Sequence, residues 1–397
     1  MNDLLLRNVR PFAEAECDLL IRDGMIAAIG RYEPEPGMPV EDGGGAIAIP
    51  GLIDAHTHLD KTTWGMPWHV NNRRAVLRER IDFEREQRSA IGIDPHRQSM
   101  RHAIGLAAHG ATHIRSHVDI DTMHGLAIVD GVMETREKLR GVIDIEIVAF
   151  PQSGVMVMPG TVELLDAALS QGCKVLGGID PCGIDRDPKG QLDVLFGLAA
   201  KHQCPIDIHL HEAGELGAFT MELISERVRA NGMQGKVAIS HAFALGMNDY
   251  LRVGQLIAQL AELDIAIVTT GAPSATVPSI MRLKEAGVRV GAGCDGIRDT
   301  WGPWGQTDML DRAKVIGMKN GLRQDRELEH VLAIVSQGGA DVMRLDGYGL
   351  AVGCRADLTL LTGETLAHAV VDVAPRPLVV KGGRVTAREG RPMVDMP

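Results

Sequence analysis

The stretch Pro50-Gly51-Leu52-Ile53-Asp54-Ala55-His56-Thr57-His58-Leu59-Asp60-Lys61 decides how the rest of the chain is read. A Pro-Gly turn signal opens it, an apolar strand pattern follows, and ionisable residues close it. Side chains alternate between the two faces of a strand, so His56 and His58 point the same way. Two imidazoles placed like this can share one metal ion, with Zn–N distances of ~2.0–2.1 Å. An isolated His-x-His can equally be a packing or surface pair. The residues that follow turn the reading toward a metal.

Working outward, residues before 50 read as short strands over 3–9, 17–22, 25–29 and 46–49, separated by Asp23-Gly24 and by Asp42-Gly43-Gly44-Gly45. The other end has the same character, with strands over 356–361, 377–381 and 384–387 and a hairpin turn at Gly382-Gly383. Neither end has enough strands to stand alone. Residues 1–50 and 347–397 are therefore expected to build one small β-sandwich domain together. Residues 51–346 alternate strand and helix. Strand patterns fall at 52–58, 112–118, 144–150, 175–179, 205–209, 237–241, 266–269 and 288–292. Helical patterns between them include 73–88, 95–108, 162–171, 192–202, 219–230 and 251–263. Eight such units predict an α/β fold, a (β/α)8 TIM barrel, with an open doubly wound sheet as the alternative. Polar residues gather at the C-terminal strand ends: His56 and His58, His117 and Asp119, Gln152, Asp180, His209 and Glu212, Ser240 and His241, and Asp295. A barrel brings these ends to one face, whereas an open sheet strings them along an edge.

Composition narrows the function. With 397 residues and 45% hydrophobic content, a large core can be buried. Aromatics are only 3%, so aliphatic side chains and methionine must fill it. Net charge is −11 and no Lys/Arg run is long enough to track phosphates, which argues against nucleic acid and anionic membranes as partners. The six cysteines are scattered without a C-x-x-C, as in a reduced, cytoplasmic enzyme, and the first residues carry no signal-peptide pattern. The expected partner is a small-molecule substrate, and the chain is expected to form a homo-oligomer.

Four groups stand out as metal ligands: His56, His58, His209 and Asp295. Asp295 follows a strand ending in Gly291-Ala292-Gly293-Cys294, small residues expected to leave room for a metal and a substrate. His241 can bind the metal or hold the water beside it. Glu212, three residues after His209, can carry protons between that water and a leaving group. A ring carbon bearing an amino group is a poor electrophile. A metal that lowers the pKa of water to about 7, a carboxylic acid and a histidine together suffice to hydrolyse it.

The ordered set of motifs resembles the amidohydrolase superfamily, and within it bacterial cytosine deaminase and its relatives. The resemblance rests on Pro50–Lys61, on I-R-S-H-V-D at 114–119, I-V-A-F-P-Q-S-G at 147–154, D-I-H-L-H-E at 207–212, Ser240-His241, and G-C-D-G-I-R-D-T-W-G-P-W-G-Q-T-D-M-L at 293–310, and it covers nearly the whole chain. It implies that His56, His58, His209 and Asp295 bind one divalent metal, zinc or iron with manganese possible. It implies Glu212 as general acid, and His241 with Asp295 as the groups that orient and deprotonate water. It implies Gln152 as a hydrogen-bond partner of the ring amide edge, and Trp301 as a pocket wall. The implied activity is hydrolytic deamination of an amino-substituted nitrogen heterocycle, a cytosine-like pyrimidine foremost. Alternatives are an amino- or N-alkylamino-triazine of the ammelide type, a cyclic amide opened by hydrolysis, or a non-catalytic binding barrel.

Three departures bear on the substrate. The family's second acid after the metal-binding Asp is Gly296 here, which predicts a wider pocket or a different ring edge. His211 stands where the family has an Asp. Lys61 resembles relatives acting on amino-triazines, and is otherwise an ion-pair residue. Rival motifs fail. Gly291-x-Gly293-x-x-Gly296 is followed by Trp301-Gly302-Pro303-Trp304-Gly305 rather than a helix start, against a dinucleotide fold. His211-Glu212-Ala213-Gly214-Glu215 is not H-E-x-x-H. Pro181-Cys182 lacks the second cysteine of the small nucleic-acid deaminases. Lys174 precedes the fourth strand, at the wrong end to bridge two metals.

Overall fold

The computed structural model describes residues 3–71 and 76–397. Leu52–Thr57, Ala111–Asp119, Asp144–Phe150, Val175–Ile179, Ile206–His209, Val237–Ser240, Ala266–Thr269 and Val290–Ala292 form one eight-stranded sheet in chain order. Each neighbouring pair is parallel. Nearly all their residues are buried, as expected for strands with the barrel interior on one face and helices on the other. The last strand meets the first where Thr57 bridges Asp295 and the Asp295 N–H donates to the His56 carbonyl at 2.9 Å. The sheet thereby wraps into a (β/α)8 barrel.

Gly293 makes that seam possible. A Cβ there would lie 2.2 Å from the His56 oxygen and 2.5 Å from its nitrogen. This corrects the expectation that Gly293 leaves room for metal and substrate: the space it opens is filled by the first strand's backbone. The sixth strand stops at Ser240, one residue short of the sequence reading, because His241 has φ +68° and leaves the ladder.

The helix over Pro95–Ala108 has the expected bounds. Asp94 caps it by accepting the Arg97 N–H at 2.6 Å, and proline occupies its first position. The helix expected over 73–88 is observed over Leu77–Ile91, and residues 73–75 lie outside the described residues. Among the described residues, no helix is long and apolar enough to cross a membrane.

The second sheet draws strands from both chain ends. Leu4–Pro11, Cys17–Arg22, Met25–Gly30, Val40–Asp42 and Ile47–Pro50 join Leu358–Leu361, Leu378–Lys381, Arg384–Arg388 and Arg391–Pro392. The join is antiparallel, Leu361 facing Ile47 and Leu358 facing Pro50. Gly382 and Gly383, at φ +53° and +77°, turn the hairpin as a primed two-residue loop requires. A separate core of Leu4, Leu6, Leu19 and Ile21 with Leu358, Leu360 and Val380 supports this sheet.

The sheet and the barrel's N-terminal end meet at buried Lys381. Its ammonium donates to Asp357 at 2.7 Å and Asp144 at 2.6 Å, and lies 3.3 Å from His113 Nε2. Burial pushes the Asp144 carboxyl up, but His113 and Lys381 outweigh it and hold the group well below its ordinary range. That contribution to stability is complete above about pH 4, the ordinary carboxylate value, and is lost as pH falls below it. Lys381→Met should cost about 3 kcal/mol in urea unfolding, because buried Asp357 loses its buried cation and keeps only the half-exposed Arg355 guanidinium at 3.3 Å and the Gly382 N–H at 2.7 Å. A loss below about 1 kcal/mol would show that the cluster is solvated rather than structural.

Candidate metal centre and ring-binding site

His56 and His58 share the barrel's inner face, and His209 and Asp295 reach them from the fifth and eighth strand ends. His58 Nε2 lies 3.4 Å from both His209 Nε2 and Asp295 Oδ1, and His56 Nε2 lies 3.7 Å from Asp295 Oδ1. Donor atoms of His56, His58 and His209 lie within 4.8 Å of one another, as do those of His56, His241 and Asp295. Buried nitrogens without a partner are costly, yet His56 Nε2 and both ring nitrogens of His241 have no hydrogen-bond partner among the described residues. Burial pushes His58 down to about 4 and His209 and His241 well below their ordinary range, which keeps the rings neutral and their lone pairs available. The far sides of two rings are held. His56 Nδ1 meets Ser240 Oγ at 2.9 Å, and that hydroxyl donates to Asp207 at 2.7 Å; His58 Nδ1 meets the His117 carbonyl at 3.1 Å. Such outer partners fix ring orientation at metal sites. The four sequence-assigned ligands thus converge, and their donor set could hold a divalent ion. His241 is close enough to join it. His117, fully buried with its ring centroid 4.2 Å from that of His56, is a neighbour that the reading of the strand ends left without a role.

Lys61 is buried and fully committed. Its ammonium donates to both Asp119 oxygens at 3.1 Å and to Gln152 Oε1 at 3.0 Å, and lies 3.1 Å from Glu84 Oε1 as an ion pair. Lysine has three donors, so none is left for a substrate. Burial opposes its charge, but Asp119, Glu84 and Asp60 outweigh that and hold the ammonium above its ordinary range. The expectation that Lys61 binds substrate is therefore refined: it holds the carbonyl end of Gln152, which turns that side chain's NH2 outward as a donor. Arg88 completes the network, pairing with Asp60 at 2.7 Å and Asp119 at 3.4 Å. Glu84 and Arg88 come from one face of the Leu77–Ile91 helix, which sequence reasoning did not connect to the site.

After Asp295 the chain doubles back through Asp299, whose Oδ1 accepts the N–H groups of Trp301 at 2.8 Å and Gly302 at 3.0 Å. Trp301 packs beside Leu77 on the cluster of Ile81, Phe150, Ile179 and Ile184. A Cβ on Gly296 would lie 1.8 Å from Asp299 Oδ2, so the space expected to widen the pocket is filled by this carboxyl. Burial, followed by the charge of Glu84, pushes Asp299 up to about 7.

Two adjoining spaces result. A small inner cavity of about 40 Å³ is walled by His58, His209, Lys61, Gln152, Asp299 and Trp301. An outer chamber of about 540 Å³ is lined by Leu77, Ile184, Phe243, Ala272, Ala275 and Glu212, among others. His211, Asp295 and Trp301 border both. His211 stacks on His241 at 4.3 Å, and its Nδ1 meets Asp180 at 2.7 Å. Burial lowers the His211 value, but Asp180 outweighs it and raises the imidazole above its ordinary range. Glu212 stands at the outer wall. Its Oε1 accepts the N–H groups of Cys182 at 2.9 Å and Gly183 at 2.7 Å, and Oε2 accepts from the Thr220 hydroxyl. Burial pushes its carboxyl up, and those donors partly offset the rise.

The fold and this mouth define a hydrolase barrel, and the amidohydrolase family profile matches residues 40–393; the chain belongs to that family. It is 30% identical over 359 residues to N-isopropylammelide isopropyl amidohydrolase of Pseudomonas sp. strain ADP, with 88% of each chain covered. Among solved structures, N-isopropylammelide isopropylaminohydrolase of Burkholderia multivorans superposes with a TM-score of 0.96 at 47% identity, covering 99% of this chain and 100% of that one. The 5-methylcytosine deaminase of Klebsiella pneumoniae, bound to 5-fluorocytosine, gives 0.86 at 28% identity, with 98% of each chain covered.

If the convergent donors bind the ion, zinc-loaded protein should keep its metal through gel filtration, whereas His209→Ala and His56→Ala should lose it by atomic emission. Retention by both variants would place the ion elsewhere.

Proposed function

We propose that this chain hydrolyses the exocyclic C–N bond of an oxo-substituted nitrogen heterocycle whose amino group carries an alkyl substituent, an N-alkylamino-triazine of the ammelide type. The observation that carries the reading is the two-part site. The inner cavity presents polar groups suited to a planar ring. The outer chamber beyond His211 and Trp301 offers Leu77, Ile184 and Phe243 to an alkyl group on the leaving nitrogen. The names of the two N-isopropylammelide relatives support the same substrate class.

His56, His58, His209 and Asp295 would hold one divalent ion, zinc, iron or manganese, with His241 beside it. When bound, such an ion lowers the pKa of water and supplies a nucleophile at neutral pH. The chain's own groups do the rest. His241 takes the proton of the attacking water. Gln152, held by Lys61, donates to a ring carbonyl and fixes the ring. Trp301 closes over the ring face. Glu212, protonated at the outset, gives its proton to the amine nitrogen as the C–N bond breaks, on the side where the outer chamber receives it, and is reprotonated when His241 gives up the water proton at the end of the cycle. With N-isopropylammelide, the ring carbon gains the water oxygen and isopropylamine leaves.

Zinc-loaded protein should release isopropylamine from N-isopropylammelide, with kcat/KM at least about tenfold above that for ammelide, since alkyl burial is worth that much discrimination. Ammonia from 5-methylcytosine or cytosine, with N-isopropylammelide inert, would instead favour the pyrimidine reading that the Klebsiella enzyme supports. Opening of dihydrouracil or hydantoin alone would overturn both.

Glu212→Gln should retain metal and fold while kcat falls by about 10²–10⁴-fold. Unchanged kcat would remove Glu212 from proton transfer.

A further inference from the structure

Asp299 has no part in the chemistry above, yet it is buried, 7% exposed, and lines the inner cavity. Oδ1 is engaged by the N–H groups of Trp301 and Gly302, which fixes the side chain. Oδ2 is the oxygen turned to Gly296, where even a methyl group would stand 1.8 Å away. Glycine at 296 is therefore what admits this orientation. Lys61, the cation on the same cavity, has spent its donors on the two Asp119 oxygens and Gln152. With Oδ1 taken by the backbone, Oδ2 is the acceptor that Asp299 can offer to the small polar cavity it lines.

The geometry points to Asp299 as a specificity-determining residue that accepts a ring N–H of the bound heterocycle. Gln152 contributes the complementary donor, so the inner cavity matches an –NH–C(=O)– edge. The substrate class narrows to rings that carry an unalkylated N–H beside a carbonyl. Rings blocked by N-methylation at that edge, or lacking the N–H, are disfavoured. The inference rests on the reading of the inner cavity as the ring site.

The test uses ring imides that carry no amino group and so are not turned over. Binding of uracil and 1,3-dimethyluracil to zinc-loaded protein is measured by calorimetry at pH 8. Asp299→Asn keeps an oxygen for Trp301 and Gly302 but replaces the Oδ2 acceptor with a donor. Wild type should prefer uracil, and Asp299→Asn should weaken uracil by about 10- to 100-fold while changing 1,3-dimethyluracil little, in line with loss of a charged hydrogen bond. Gly296→Ala, which displaces the carboxyl, should act in the same direction and serves if the Asn variant does not fold. A uracil-to-dimethyluracil ratio unchanged within about twofold in the folded variant, or no uracil binding by wild type, would overturn the assignment. The two readings fail separately. Uracil preference with N-isopropylammelide inert sinks the proposed substrate alone, and turnover of N-isopropylammelide that survives Asp299→Asn sinks this inference alone.

Discussion

The mouth of this barrel depends on one backbone contact, the Asp295 N–H on the His56 carbonyl at 2.9 Å. It joins the last strand to the first and sets one candidate ligand against two others in the same step. Thr57 Oγ1 adds a bond to the Asp295 carbonyl at 2.9 Å, and buried Asp54 accepts from His56 and Cys294 across the same seam. Gly293 is the condition for the contact, since any side chain would collide with the His56 backbone. Closure of the fold and assembly of the donor set are thus one event.

The rim stores strain that the barrel sustains. Asp180, His241 and Asp295 all have positive φ, at +32°, +68° and +62°. Each such non-glycine residue costs on the order of 1 kcal/mol or more, and persists only where the surroundings over-determine it. All three sit just past strand ends, where the chain turns out of the ladder and swings a polar side chain over the barrel axis. Asp180 then organises the next loop, accepting the N–H of His211 at 2.6 Å and of Glu212 at 3.2 Å. One strained residue sets the position of two candidate functional ones.

The barrel, the split β domain and the donor set were legible because each is written locally. Strand periodicity marks the ladder, Asp94 and Pro95 mark a helix start, and polar residues mark the strand ends. What could not be read are relations between distant segments. Lys61 looked like a substrate contact because nothing in its own stretch shows that Asp119 and Gln152 claim its protons. Gly296 looked like an opening because its neighbour in space, Asp299, is visible only once the loop is folded. The room attributed to Gly293 proved to belong to a strand more than two hundred residues earlier in the chain. Periodicity also could not reveal that a helix as polar as Leu77–Ile91 turns Glu84 and Arg88 inward.

That helix couples two regions of very different tolerance. Its first turn presents Leu77 to the outer chamber, while Glu84 and Arg88, about two and three turns further on, are locked into buried ion pairs. Changes at 84 or 88 leave charges stranded in the interior, whereas position 77 exchanges one apolar surface for another. Substitutions in the helix's first turn and at Ile184 can therefore reshape the outer chamber without disturbing the buried ion-pair network behind the inner cavity. The architecture separates what must be inherited unchanged from what is free to diversify.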